Sequence, residues 1–133
     1  MKKILTKSIT MAVLACSFLA ASCKTQSIEI APNATNLEIV QQAQNAYDKG
    51  KKEQAIKCYE ILIQRYGMDT AIYIEGRYEI AHIYLKQKKY DKAEPIFLEI
   101  KEIYDSTAPG MLPGAYRKMV MKDLEKIQKK KKK

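Results

Sequence analysis

Histidine is almost missing from this chain: among 133 residues there is only His82. A lone histidine is more often a surface or half-buried polar residue than a ligand or a catalytic base, and no nucleophile–base pair stands out around it. Cysteine is nearly as scarce, occurring at Cys16, Cys23 and Cys58. If a leader is cut before Cys23, Cys58 is the only other thiol left, which excludes an intrachain disulfide and a cysteine-based zinc site. Tryptophan is absent. So are a P-loop, a glycine-rich dinucleotide turn and a Gly-x-Ser-x-Gly elbow. Nine tyrosines and fifteen acids remain. Of these acids Glu75 and Glu79 stand one helical turn apart and read as solvated. The expectation is a protein with no catalytic residues, no cofactor and no metal, and not an enzyme.

Charge of one sign is in excess only at the two ends. The formal net charge is +9, but Lys2, Lys3 and Lys7 open the chain and five lysines at 129–133 close it. Between them sixteen basic residues face all fifteen acids, a nearly neutral body. No basic face is concentrated there, so a nucleic-acid partner is not expected. The terminal lysines suit a helix C-terminus and are expected to fray into solvent. Contact of that tail with anionic lipid would contribute about 1 kcal/mol per lysine.

No apolar run reaches the about 20 residues needed to span a bilayer. The longest is in the leader, where Ile9, Met11, Ala12, Val13, Leu14, Phe18 and Leu19 follow the three early lysines and Ala20, Ala21 and Ser22 precede Cys23. A basic head, a short apolar core and small residues at a cut describe a secretory signal over residues 1–22. With Cys23 just after the cut, the segment resembles the lipobox of bacterial lipoproteins, in which the thiol is lipidated. Ala20 holds the place where that family usually has leucine, and Leu19 lies one residue before it. Val13, Leu14, Ala15 and Cys16 form a rival match, and cutting by the ordinary signal peptidase is a further alternative. The resemblance implies lipidation (a palmitate-type anchor) at Cys23 and residence in the bacterial cell envelope, at the outer membrane facing the periplasm. Residues 23–36, with Pro32 and several polar side chains, read as a flexible tether.

Beyond the tether the chain repeats itself with an offset of 38 residues: Ala43 matches Ala81, Ala55 matches Ala93, Tyr59 meets Phe97, Leu62 meets Ile100 and Tyr66 meets Tyr104. Each copy reads as a helix, a polar turn and a second helix, over about 37–67 and 71–105. Ile39, Val40, Ala43, Ala46 and Tyr47 form one helical face, and Ala55, Ile56, Tyr59, Leu62, Ile63 and Tyr66 another. Gly50 suits a left-handed helix end and Gly67 stops the following helix. Ile74, Tyr78, Ala81, Tyr84 and Leu85 mark the longer first helix of the second copy. Its turn at 86–89 lacks glycine. Asp91 and Glu94 fit a capping box, which would leave Pro95 in or beside a first turn. A last helix over 115–128 carries Tyr116, Met119, Val120, Leu124 and Ile127 on one side and can cap the array within a helical domain of 37–128.

Ala43, Gly50, Ala55, Tyr59, Ala81, Tyr84, Tyr90, Ala93 and Phe97 fall where tetratricopeptide repeats (TPR) place small and aromatic residues. The resemblance covers roughly residues 36–105, although the repeat is longer than the usual period of about 34. It implies an all-α, TPR-like solenoid of two antiparallel hairpins plus a capping helix, and a protein–protein interaction scaffold. Longer units of this sort are familiar in bacterial envelope lipoproteins. In this family the first helix of each pair lines a concave groove. Carried over by position, Val40, Gln44 and Tyr47 would line it from the first repeat, and Tyr78, His82 and Lys86 from the second. That mixture suits an extended peptide with polar ends. A small-molecule carrier, as accessory to an envelope transport system, is the alternative. Two repeats are few for a solenoid, so the open face around Leu37, Ile39 and Val40 is expected to pair with a partner protein or a second copy.

Overall fold

The computed structural model describes residues 28–132. The leader, Cys16 and Cys23 lie outside the described residues. Five helices follow one another: α1 (Asn36–Asp48), α2 (Lys52–Tyr66), α3 (Thr70–Lys86), α4 (Tyr90–Ser106) and α5 (Gly114–Lys131). Each packs against the next in sequence, and α5 also reaches back to α3. The result is the expected short solenoid: two stacked antiparallel hairpins closed at one end by a fifth helix. Among the described residues no helix is long and apolar enough to cross a membrane.

Local chemistry sets the helix boundaries. Thr35 caps α1 through a reciprocal box, its hydroxyl accepting from the Glu38 N–H at 3.3 Å while its own N–H donates to the Glu38 carboxylate at 2.7 Å. Asp69 caps α3 by accepting from the Ala71 N–H at 2.8 Å. The hairpin turns are copies of each other. The Lys51 N–H donates to the Ala46 carbonyl at 2.9 Å around Gly50, whose φ is 73°. In the second copy the Lys89 N–H donates to the Tyr84 carbonyl at 2.9 Å around Lys88, at φ 60°. Lys88 is the residue 38 positions beyond Gly50, so the turn keeps its left-handed residue after losing its glycine.

The capping box expected at Asp91 and Glu94 does not form. Helix α4 begins at Tyr90 after Lys89, with no side-chain cap, and Asp91 is already helical. Pro95 therefore lies in the second turn, where it leaves the Asp91 carbonyl without its i+4 donor. The neighbours of α4 on both sides hold the helix together across that gap.

The core lies between the hairpins. Ala43, Ala55, Ala81 and Ala93 are fully buried, and their small side chains let the paired backbones approach. The matched Tyr59 and Phe97, and Leu62 and Ile100, fill the layer beside them. Gly76 serves the contact between hairpins: a Cβ placed there would stand 2.7 Å from Ile63 Cγ1 on α2.

Three expectations need correction. Residues 28–35 are not a free tether, because they lie along the first hairpin. Ile30 and Ala34 join the core. The Arg65 guanidinium donates to the Ala31 carbonyl at 2.7 Å, and the Tyr66 hydroxyl to the Ala34 carbonyl at 2.7 Å. The matched Tyr104 repeats the device, donating to the Pro113 carbonyl at 2.6 Å just before α5. The open face around Leu37, Ile39 and Val40 is not open either: Ile39 and Val40 are buried and only Leu37, at 73 % exposure, faces solvent. The lysines of the tail do not all fray, because α5 continues to Lys131. Lys129 pairs with Glu125 at 2.6 Å and Lys131 pairs with Glu94 of α4. Opposite charge and the helix C-terminus both favour that extension.

Candidate partner-binding site

Helices α1 and α3, the first members of the two hairpins, stand side by side with α2 behind them. Between them runs a cleft of about 320 Å³. Gln44, Tyr47 and Asp48 line it from α1, Glu79, His82, Ile83 and Lys86 from α3, and Tyr59 of α2 closes its floor. Residues four apart share a face of a helix, so Gln44 and Asp48 come together on one wall, and Glu79 and Ile83, then His82 and Lys86, on the other.

Four of the six residues expected to line a groove therefore meet at one cleft: Gln44, Tyr47, His82 and Lys86. Val40 and Tyr78 do not. Val40 is 9 % exposed and packs within the first hairpin. Tyr78 is 5 % exposed, because α5 covers it. Its ring lies 5.3 Å from that of Tyr116 and 5.8 Å from that of Phe97, and it stacks on His82 at 5.6 Å. The position would face a groove if the array ended after two hairpins. The capping helix converts it into core.

Under α5 lies a polar cluster that the helical pattern gave little reason to expect. Asp123 is 2 % exposed. It accepts from the Tyr78 hydroxyl at 3.0 Å and from Lys126 Nζ at 2.6 Å, and lies 3.3 Å from His82 Nδ1. Burial by itself would raise the Asp123 carboxyl, yet the bonds from Lys126, Tyr78 and His82 hold it below the usual aspartate range. The Tyr78 hydroxyl is pushed up, by burial first and by the Asp123 charge second. His82 thus has one edge tied to Asp123 while the residue as a whole lines the cleft. A sequence signal existed: Asp123 falls at the three- and four-residue steps of Val120, Leu124 and Ile127, a carboxylate on an apolar stripe.

Glu75 and Glu79 are not simply solvated, as their spacing alone suggested. Both are partly buried on α3. Burial raises the carboxyl of Glu75, and that of Glu79 is raised by burial and then by the neighbouring Glu75 charge. Their charges in turn raise the Tyr59 and Tyr116 hydroxyls, after burial as the main cause. Tyr59 is 2 % exposed, and its hydroxyl has no hydrogen-bond partner among the described residues. The repeat pattern identified Tyr59 as core, which it is, but gave no means of seeing that its polar end reaches the cleft. Among the described residues no group of three or more His, Cys, Asp or Glu side chains converges on a metal position.

Residues 74–107, nearly the whole of the second hairpin, match the sequence profile of the tetratricopeptide repeat family. The second hairpin is similar to a TPR unit. The first repeats its turn, its alanines and its aromatic position, as described above. The chain is also 30 % identical over 118 residues to an uncharacterized protein of Treponema pallidum (strain Nichols), a match covering 88 % of this chain and 47 % of the relative. The chain thus spans about half the length of the curated relative it matches. No solved structure matches it. Proteins built of tetratricopeptide repeats are generally protein–protein interaction scaffolds.

Proposed function

We propose that this chain is a lipid-anchored adaptor of the bacterial envelope that binds a peptide or partner protein in the cleft between α1 and α3. The observation that carries the reading is the cleft itself: an open trough between the first helices of two stacked hairpins, with the unpartnered hydroxyl of the otherwise buried Tyr59 at its floor. At about 320 Å³ it is at the lower edge of the volumes of small-molecule pockets. That size favours a few side chains of a peptide over an enclosed metabolite. The leader, the small residues before Cys23 and the short stretch to the first packed residue at Ile28 support attachment close to a membrane. We place that membrane as the outer one, with the domain in the periplasm.

Site-specific photo-crosslinking in the native host tests both halves. A crosslinker at Gln44 or at Lys86, on opposite walls, is expected to capture the same partner, and one at exposed Glu102 on α4 is not. The Cys23→Ala variant is expected to lose both a fatty-acid label and the membrane fraction. Absence of label on the unaltered chain rejects the anchor. Capture from Glu102 but from neither wall rejects the cleft.

A further inference from the structure

Among the described residues the carboxylates withdrawn from water are paired, except for two neighbours on α3. Asp123 has Lys126 and His82, Glu99 has Arg77 and the Tyr73 hydroxyl, and Glu94 has Lys131. Glu75 and Glu79 are partly buried as well, yet neither has a hydrogen bond or an ion pair among the described residues. Lys86 stands on the same wall of the cleft but does not pair with Glu79. Seven residues along a helix place it about 10 Å away along the axis. Beside these acids the Tyr59 hydroxyl is also without a partner, although the residue is almost entirely buried. An unpaired carboxylate drawn out of water costs stability. The Glu79 carboxylate and the Tyr59 hydroxyl meet at one cleft, where the hydroxyl oxygen stays open to a donor.

We infer that the cleft between α1 and α3 receives a lysine or arginine side chain of the partner, held by Glu79 with Glu75 beside it and by the Tyr59 hydroxyl oxygen. The inference rests on the adaptor reading and deepens it. A cation is the group that neutralises the carboxylate and uses the hydroxyl oxygen together. Its N–H groups donate to the Glu79 carboxylate, a charge-assisted bond of the stronger kind. Another donates to the Tyr59 oxygen. The Tyr47 ring on the opposite wall and the apolar Ile83 supply surface for the methylene stem. Charge agrees: Asp48 and Glu79 outnumber Lys86 in the lining, with Glu75 one turn from Glu79 on α3, while the His82 edge is already committed to Asp123.

The test is an NMR titration of the full chain in zwitterionic micelles, with Nα-acetyl-lysine methylamide, its arginine counterpart and the uncharged norleucine counterpart as probes. The two cationic probes are expected to shift the Tyr59 and Ile83 resonances saturably, with norleucine at least about tenfold weaker. Glu79→Gln keeps the shape of the side chain and is expected to weaken the cationic probes by about tenfold, while leaving norleucine unchanged. Tyr59→Phe is expected to weaken them by a smaller factor. Equal binding of lysine and norleucine overturns the inference, as does indifference to Glu79→Gln or the absence of any shift at the cleft. Sedimentation supplies a further outcome. Self-association abolished both by Glu79→Gln and by removing residues 129–133 would make a second copy's lysine tail the occupant, and would overturn assignment to a partner protein. Crosslinks from both walls to a partner, without preference for a cation, would remove this inference and leave the adaptor reading standing.

Discussion

Exchanging the residues at the two hairpin turns tests the repeat at its most local level. Lys88 sits at φ 60°, in the region where an L-residue with a Cβ is disfavoured, and Gly50 occupies the matched position at φ 73°. The left-handed conformation costs a residue with a Cβ about 1–2 kcal/mol. Glycine removes that cost but gives back part of it, about 0.5–1 kcal/mol, through the greater freedom of the unfolded chain. Lys88 is exposed and makes no ion pair or side-chain hydrogen bond among the described residues, so its removal sacrifices no contact. Lys88→Gly is therefore expected to stabilise the fold by about 0.5–1 kcal/mol, raising Tm by a few degrees for a domain of this size. Gly50→Lys carries the same balance with the opposite sign, and a Cβ at Gly50 meets nothing within 4 Å, so strain rather than collision is what it reads. Thermal and urea unfolding followed by circular dichroism measure both. A Lys88→Gly chain no more stable than the unaltered one, together with a harmless Gly50→Lys, would refute the argument that the backbone conformation sets the cost.

Other consequences are as direct. Gly76→Ala gains about 1 kcal/mol of helix propensity but puts its Cβ 2.7 Å from Ile63 Cγ1, so a net loss of about 1–2 kcal/mol is expected, reduced when Ile63→Ala is added. A double-mutant cycle in urea checks the coupling. Tyr66→Phe removes the bond to the Ala34 carbonyl and is expected to cost about 1 kcal/mol, with faster proteolysis within residues 28–34 as the specific sign. Two carboxylates predict opposite responses to acid. The Asp123 carboxyl is held low in the fold, so it stabilises above the ordinary aspartate value and that contribution is lost as pH falls through its folded pKa; Asp123→Asn is expected to flatten the acid limb of the stability profile. The Glu79 carboxyl is raised, so its ionised form opposes folding at neutral pH. Glu79→Gln is expected to raise Tm there, with the difference vanishing below about pH 4, the ordinary glutamate value. Stability–pH profiles by circular dichroism decide both.

The repeat and its helices were legible because their signals are local. A stripe at three- and four-residue steps identifies a helix whatever it packs against, and small residues at matched places mark where two backbones meet. Ala43, Ala55, Ala81 and Ala93 could be read in this way, and all are buried. Boundaries were less secure. Thr35 and Glu38 spell a capping box that forms, while Asp91 and Glu94 spell one that does not, because α4 has already begun at Tyr90. The strap over residues 28–35 was hidden for another reason: its partners, Arg65 and Tyr66, are more than thirty residues away, and no period links them to it.

By itself the amino-acid sequence determined that two helix hairpins repeat at an interval of 38 residues and that a further helix follows, since each depends on spacing within a short window. Tertiary structure decided which side of α3 stays open. That helix has neighbours in α2, α4 and α5, so apolar or small residues are buried around much of its circumference and periodicity cannot select one face. Only the position of α5 shows that Tyr78 is roofed over and that Asp123 reaches it from 45 residues away. The same packing withdraws Glu79 from water without supplying a cation. An exposed-looking acid in the sequence thereby becomes the unpaired charge of a cleft, because burial and pairing are properties of what surrounds a residue.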